Sequence, residues 1–97
     1  MDLFTYRNGE LYCENLPVRQ MVDSGIGTPT YIYSATTFRE HYSRMASAFA
    51  ELDPIICYSI KCCQNIHIIR LLVDQGAGMD VVSGGELVRA KAAGADP

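Results

Sequence analysis

The residue in this chain best placed to do chemistry is a lysine that ends an apolar run. Ile55-Ile56-Cys57-Tyr58-Ser59-Ile60-Lys61 is rich in β-formers, entered at Pro54 and left through Cys62-Cys63-Gln64-Asn65. Period-two alternation sends Ile56, Tyr58 and Ile60 to one face and Cys57, Ser59 and Lys61 to the other. With the bulky face under covering helices, the small polar face looks into a narrower space and Lys61 stands at its rim. A lysine ending a buried strand is desolvated, which favours the neutral amine that can form a Schiff base with a carbonyl. The plainer alternative is that Lys61 marks where the strand reaches water.

A second concentration runs from Gly76 to Leu87, Gly-Ala-Gly-Met-Asp-Val-Val-Ser-Gly-Gly-Glu-Leu. It is not a dinucleotide fingerprint, because Gly76 and Gly78 precede a strand instead of opening a helix and the G-x-G-x-x-G spacing is unmet. Ser83-x-x-Glu86 has the spacing of a capping box at the start of a helix, which is a sufficient structural reading. Asp80 is less easily explained, since a carboxylate within an apolar strand is costly unless it is paired or faces a site. Alternation places Asp80 with Val82, and Met79 with Val81 and Ser83. If the first face looks inward, Asp80 approaches Lys61 on the preceding strand and helps hold it; otherwise it is a polar residue at a strand entrance. Cys62 and Cys63 are candidates for a pocket wall or for small buried hydrophobes. His67 reads as a half-exposed surface histidine and Tyr58 as core.

The elements that position these residues follow from periodicity. Asn8-Gly9, flanked by Phe4-Thr5-Tyr6 and Leu11-Tyr12-Cys13, predicts a tight β-hairpin. Residues 18–24 suit a short helix with Val18, Met21 and Val22 on one face, stopped by Gly25. Strands are expected at 30–34, 55–61 and 79–83, and helices at 36–52, 66–73 and 86–93. The stripe Phe38, Tyr42, Met45, Phe49 and Leu52 marks the first helix, with Thr37 and Glu40 as its capping box. Three successive β-α units imply an α/β fold with a parallel sheet. A closed barrel needs eight such units, and the chain stops at Pro97 where a fourth strand is due, so it reads as the front of something longer. The hairpin belongs to no β-α unit and is expected to pair with strands that are not here.

Composition narrows the functional classes. The 97 residues are 48% hydrophobic and 20% charged with a net charge of −3, which describes one small globular domain without the basic cluster that nucleic acid requires. No apolar run approaches a membrane span, and no signal-peptide pattern opens the chain, so a cytoplasmic location is expected. The four cysteines lack the spacing of a disulfide framework, and the two histidines have no metal-ligand spacing to them.

Tyr58-Ser59-Ile60-Lys61, followed about twenty residues on by Gly76 to Leu87, closely resembles the N-terminal part of diaminopimelate decarboxylases, pyridoxal-phosphate enzymes of the alanine-racemase-like fold type. Phe4-x-Tyr6-x-x-Gly9-x-Leu11 and Gly27-Thr28-Pro29-x-Tyr31-x-Tyr33-Ser34 fit the same family in the same order. The resemblance implies that Lys61 holds pyridoxal phosphate as an internal aldimine and that Asp80 is the acidic residue near cofactor and lysine. It implies the first units of a (β/α)8 barrel over 28–97, with 1–27 as the hairpin and short helix of a β-domain. The implied reaction releases carbon dioxide from meso-diaminopimelate to give lysine, in a homodimer. The family's phosphate loop, its histidine over the cofactor ring and a cysteine of the partner subunit all fall beyond Pro97. Relatives often carry Ala-Asn or Cys-Asn after the lysine; Cys62-Cys63 here lacks the hydrogen bonds an asparagine offers. The nearest alternatives are decarboxylases of arginine, ornithine or carboxynorspermidine, and a non-catalytic homologue acting by protein contacts.

Overall fold

The computed structural model describes residues 3–96. The chain divides between Thr37 and Phe38 into two compact units.

In the first unit, β1 (Phe4–Arg7) and β2 (Glu10–Cys13) pair antiparallel, with Arg7 opposite Glu10. Asn8 and Gly9 both take positive φ, 52° and 80°, as a tight hairpin turn requires. A short third strand, β3 (Leu16–Pro17), pairs with the other edge of β2. Within the described residues β2 therefore has a neighbour on both sides over Tyr12 and Cys13. The predicted short helix is present as α1 (Val18–Met21), continued by a π-type turn, Val22–Ile26, in which Gly25 has φ 91°.

Residues 30–34 do not form the predicted strand. A strand is completed by its ladder, and among the described residues none reaches this segment. The segment instead stacks the Tyr31 and Tyr33 rings with centroids 6.4 Å apart, and Tyr31 is 88% exposed.

Helix α2 (Ala35–Ala48) begins one residue earlier than expected and is followed by a 3-10 turn, Ala50–Leu52. Its cap is not the predicted Thr37–Glu40 pair. Buried Ser34 accepts a hydrogen bond from the Thr37 N–H at 3.0 Å, and Glu14 Oε1 accepts from the Thr36 N–H at 2.9 Å and the Ser34 hydroxyl at 2.8 Å. Two of the unsatisfied donors at the helix start are met in this way, the Thr37 N–H by Ser34 and the Thr36 N–H by a carboxylate whose charge suits that end of the helix. Glu14→Ala is therefore expected to cost about 1–3 kcal/mol by stranding the Thr36 N–H and the Ser34 hydroxyl, while Glu14→Gln, which keeps an acceptor, costs less. Urea denaturation of the two variants checks the order. The predicted apolar stripe of α2 is real in spacing but only partly covered: Phe38 and Tyr42 are half-buried, whereas Met45, Phe49 and Leu52 are exposed.

The second unit carries the α/β alternation. Its order is β4 (Cys57–Ser59), a 3-10 turn at Ile60–Cys62, α3 (Ile66–Val73), β5 (Gly78–Asp80) and α4 (Gly84–Ala92). Strands β4 and β5 pair in parallel, as a β-α-β crossover demands. The core is Ile60, Ile69, Ala90 and Ala93, with Tyr58, Ile66, Val73, Met79, Val81 and Ala95 packed against it. Ile60 and Ile69 are fully buried, each side chain worth about 1.5–3 kcal/mol in removal of apolar surface from water. Both helices end alike. Gly76 (φ 92°) donates to Val73 O and Ala77 to Leu72 O; Gly94 (φ 99°) donates to Lys91 O and Ala95 to Ala90 O. This is the Schellman termination, repeated, with glycine at the left-handed position each time.

Candidate functional site

The site is the edge at which β4 and β5 end together. Their register sets Cys57 opposite Gly78, Tyr58 opposite Met79 and Ser59 opposite Asp80. Burial follows the predicted alternation. Tyr58, Ile60, Met79 and Val81 belong to the core side, while Cys57, Asp80 and Val82 are exposed on the other. Gly78 approaches its ladder partner closely: a Cβ there would lie 2.7 Å from Cys57 Sγ, so that side chain would have to turn away. A glycine within a strand is the signal of such a close approach.

Lys61 departs from expectation in one respect. The ladder stops at the Ser59–Asp80 pair, so the chain has no partner strand to follow and turns into the 3-10 segment with Lys61 at its middle. Lys61 is exposed there, so the burial predicted for a lysine within the strand is not found. Its side chain enters no hydrogen bond or ion pair with the described residues. The turn itself is fixed at both ends. The Cys63 N–H donates to Ile60 O at 3.1 Å, and the Tyr58 hydroxyl, its ring against the core, donates to Cys63 O at 3.1 Å. No motif in the sequence signals that second bond.

Asp80 is exposed at the end of β5, one strand from Ser59 and two residues short of level with Lys61. No bond joins it to Lys61. The Ser59 Oγ atom is buried and has no hydrogen-bond partner. Among the remaining candidates, Cys62 is exposed, Cys63 half-buried and His67 exposed on α3, and no group of three metal-ligating side chains exists among the described residues.

The segments after each strand are held by side chains. Asn65 Oδ1 accepts from the His67 N–H at 2.9 Å and caps α3. Ser83 Oγ accepts from the Glu86 N–H at 3.2 Å, as the capping-box spacing predicts. The reciprocal bond is displaced by one residue: Glu86 Oε2, on a residue only 6% exposed, accepts from the Val82 N–H at 2.8 Å. Its carboxylate thus ties the exit of β5 to the first turn of α4. Arg70 links the two helices, donating to Ala92 O and Ala93 O at 3.1 and 3.4 Å.

The chain that carries this edge, with an exposed lysine on one strand exit and a carboxylate on the next, is similar to known proteins. Residues 35–97 fit the pyridoxal-binding domain of the pyridoxal-dependent decarboxylases, and the chain belongs to that family. The relatives it is similar to include diaminopimelate decarboxylases: that of Haemophilus influenzae is 41% identical over 99% of this chain and 23% of its own length, and that of Neisseria meningitidis serogroup A is 43% identical over 89% and 21%. A crystal structure from Aquifex aeolicus superposes with a TM-score of 0.90 at 41% identity, covering 98% of this chain and 23% of that one. Diaminopimelate decarboxylase from M. jannaschii, solved in co-complex with L-lysine, gives 0.86 at 32% identity over 95% and 22%. The chain spans less than a quarter of the length of these relatives.

Proposed function

We propose that this chain is the lysine-bearing part of a pyridoxal-phosphate-dependent diaminopimelate decarboxylase, releasing carbon dioxide from meso-diaminopimelate to yield L-lysine. The observation that carries the reading is Lys61 itself. Its primary amine is exposed and unengaged on a turn bonded at both ends, beside the strand whose last residue is Asp80.

The residues present fit pyridoxal phosphate. An aldehyde requires an accessible amine, which Lys61 offers. The buried, unpartnered Ser59 Oγ is a polar atom awaiting a bond, on the strand position opposite Asp80. Lys61 would hold the cofactor covalently and Asp80 would lie close to it. When bound, the cofactor supplies an electron sink for the pair left behind as carbon dioxide departs. Lys61 Nζ, once free, would deliver the proton that takes the place of the departing carboxylate at the reacting carbon. Asp80 contributes a fixed negative charge at the same edge, and Glu86 and Ser83 hold the loop that follows it.

The finer architecture belongs to the same proposal. Residues 28–97 form the first units of a (β/α)8 barrel with Lys61 at its mouth, and 1–27 contribute to a β-domain. The repeated β-α order from β4 to α4 and the match to longer relatives support this. The proposed protein is cytoplasmic and homodimeric, and its other partner is a small amino-acid substrate. No described helix is long and apolar enough to cross a membrane.

Carbon dioxide release from meso-diaminopimelate by the natively produced protein, supplied with pyridoxal phosphate, tests the function. Turnover is expected. A protein that is labelled on Lys61 by borohydride reduction yet silent on this substrate moves the reaction to arginine, ornithine or carboxynorspermidine. A protein that takes no label favours a non-catalytic homologue.

A further inference from the structure

We infer that Tyr58 is a positioning residue for Lys61, acting through the backbone of the turn that carries it. The inference rests on the proposed role of Lys61 and concerns how that lysine is kept in place. Lys61 lies in a three-residue 3-10 turn, Ile60–Cys62, immediately past the last ladder pair. Beyond that pair the sheet no longer restrains the backbone, and the exposed lysine side chain contributes no bond of its own. The near end of the turn is anchored by Ile60, which is buried in the core; its far end is restrained locally. Cys63 N–H closes it onto Ile60 O, and the Tyr58 hydroxyl holds Cys63 O from outside at 3.1 Å.

Tyr58 can do this because it belongs to two structures at once. Its backbone is fixed by pairing with Met79 in the ladder, and its ring packs against the core of Ile60, Ile69, Ala90 and Ala93. The hydroxyl thus refers the far side of the lysine turn to the rigid part of the unit. A flexible four-carbon side chain reacts at a defined point only if its Cα is defined, because every degree of freedom left in the backbone multiplies the volume its amine explores. A supporting shell that fixes the reactive residue from behind is what such a site needs.

The test compares Tyr58→Phe with Val73→Ala in the natively produced protein. Phenylalanine keeps the ring in the core and removes only the hydroxyl. Val73→Ala trims the same core from the end of α3 without touching the Tyr58 hydroxyl bond to Cys63, and serves as a control for general loss of stability. Three quantities are read: thermal midpoint, the rate and concentration dependence of pyridoxyl labelling at Lys61 under borohydride, and the pH profile of the bound cofactor's visible absorbance. Tyr58→Phe is expected to weaken capture at Lys61 about three- to ten-fold, the effect of one lost hydrogen bond, and to shift the absorbance profile. Val73→Ala is expected to lower the midpoint at least as much while capturing at the wild-type rate with an unshifted profile. Wild-type behaviour of Tyr58→Phe, or an equal loss in Val73→Ala, overturns the inference while leaving the role of Lys61 intact. Wild-type protein that takes no label at Lys61 overturns the functional reading and this inference with it.

Discussion

Lys61→Ala is expected to abolish pyridoxyl labelling and to lower carbon dioxide release by at least about a thousand-fold, the scale on which removal of a positioned acid–base group acts. The fold is expected to survive, because Lys61 is exposed and makes no bond with the described residues; surface changes of that kind stay within about 0.5 kcal/mol. Lys61→Arg separates charge from chemistry. A guanidinium keeps the positive charge but is never a neutral amine near pH 7, so the arginine variant should be as inactive as the alanine one. The chain has one other lysine, Lys91, in the last turn of α4, so mass spectrometry of the reduced protein has a built-in comparison. Label that persists in Lys61→Ala and maps to Lys91 would refute the assignment of the lysine. Activity retained by Lys61→Arg would leave the lysine with only an electrostatic role.

What the sequence reveals here is divided by the range of the interaction. The hairpin at Asn8-Gly9, the positive-φ stop at Gly25 and the Ser83 cap of α4 all depend on residues within five positions of one another, and all appear as read. The faces of Cys57 and Tyr58 on β4 and of Met79 and Asp80 on β5 were equally legible, because alternation is imposed by the strand itself. Failures begin where a distant partner decides. Residues 30–34 have strand composition but enter no ladder among the described residues, and composition cannot report that. The cap of α2 was assigned to Thr37 and Glu40 because the spacing fits, yet Ser34 and Glu14, twenty residues apart, provide it. Lys61 was placed on the strand because its neighbours are β-formers; the strand ends at Ser59 because its partner ends at Asp80. The carboxylate of Glu86 reaches Val82 instead of the cap residue, a one-residue shift that only the geometry of the loop determines.

Gly78 offers the strongest structural prediction, because two substitutions there should oppose each other. A Cβ added at Gly78 would lie 2.7 Å from Cys57 Sγ, closer than such atoms approach, while its next neighbours, Ile55 Cγ2 at 3.7 Å and Ile56 O at 3.8 Å, are at ordinary contact. Gly78→Ala must therefore rotate the Cys57 side chain, at about 0.5–1.5 kcal/mol, or part the strands at greater cost. The displaced strand is the one that ends at Ser59 and delivers Lys61, so capture of pyridoxal phosphate should fall with stability. Cys57→Ala removes the obstructing sulfur from an exposed residue at small cost. In that background Gly78→Ala meets no close atom, and the smaller entropy of the unfolded alanine chain should make it stabilising, by about 0.4–1 kcal/mol. The same substitution thus changes sign with the residue across the ladder. A double-mutant cycle by urea denaturation should return a coupling of at least about 1 kcal/mol between the two positions, with labelling at Lys61 restored in the double variant. Additive effects would mean that the contact between Gly78 and Cys57 does not limit the spacing of the strands. Recovered stability without recovered labelling would mean that the spacing of β4 and β5 does not govern the lysine.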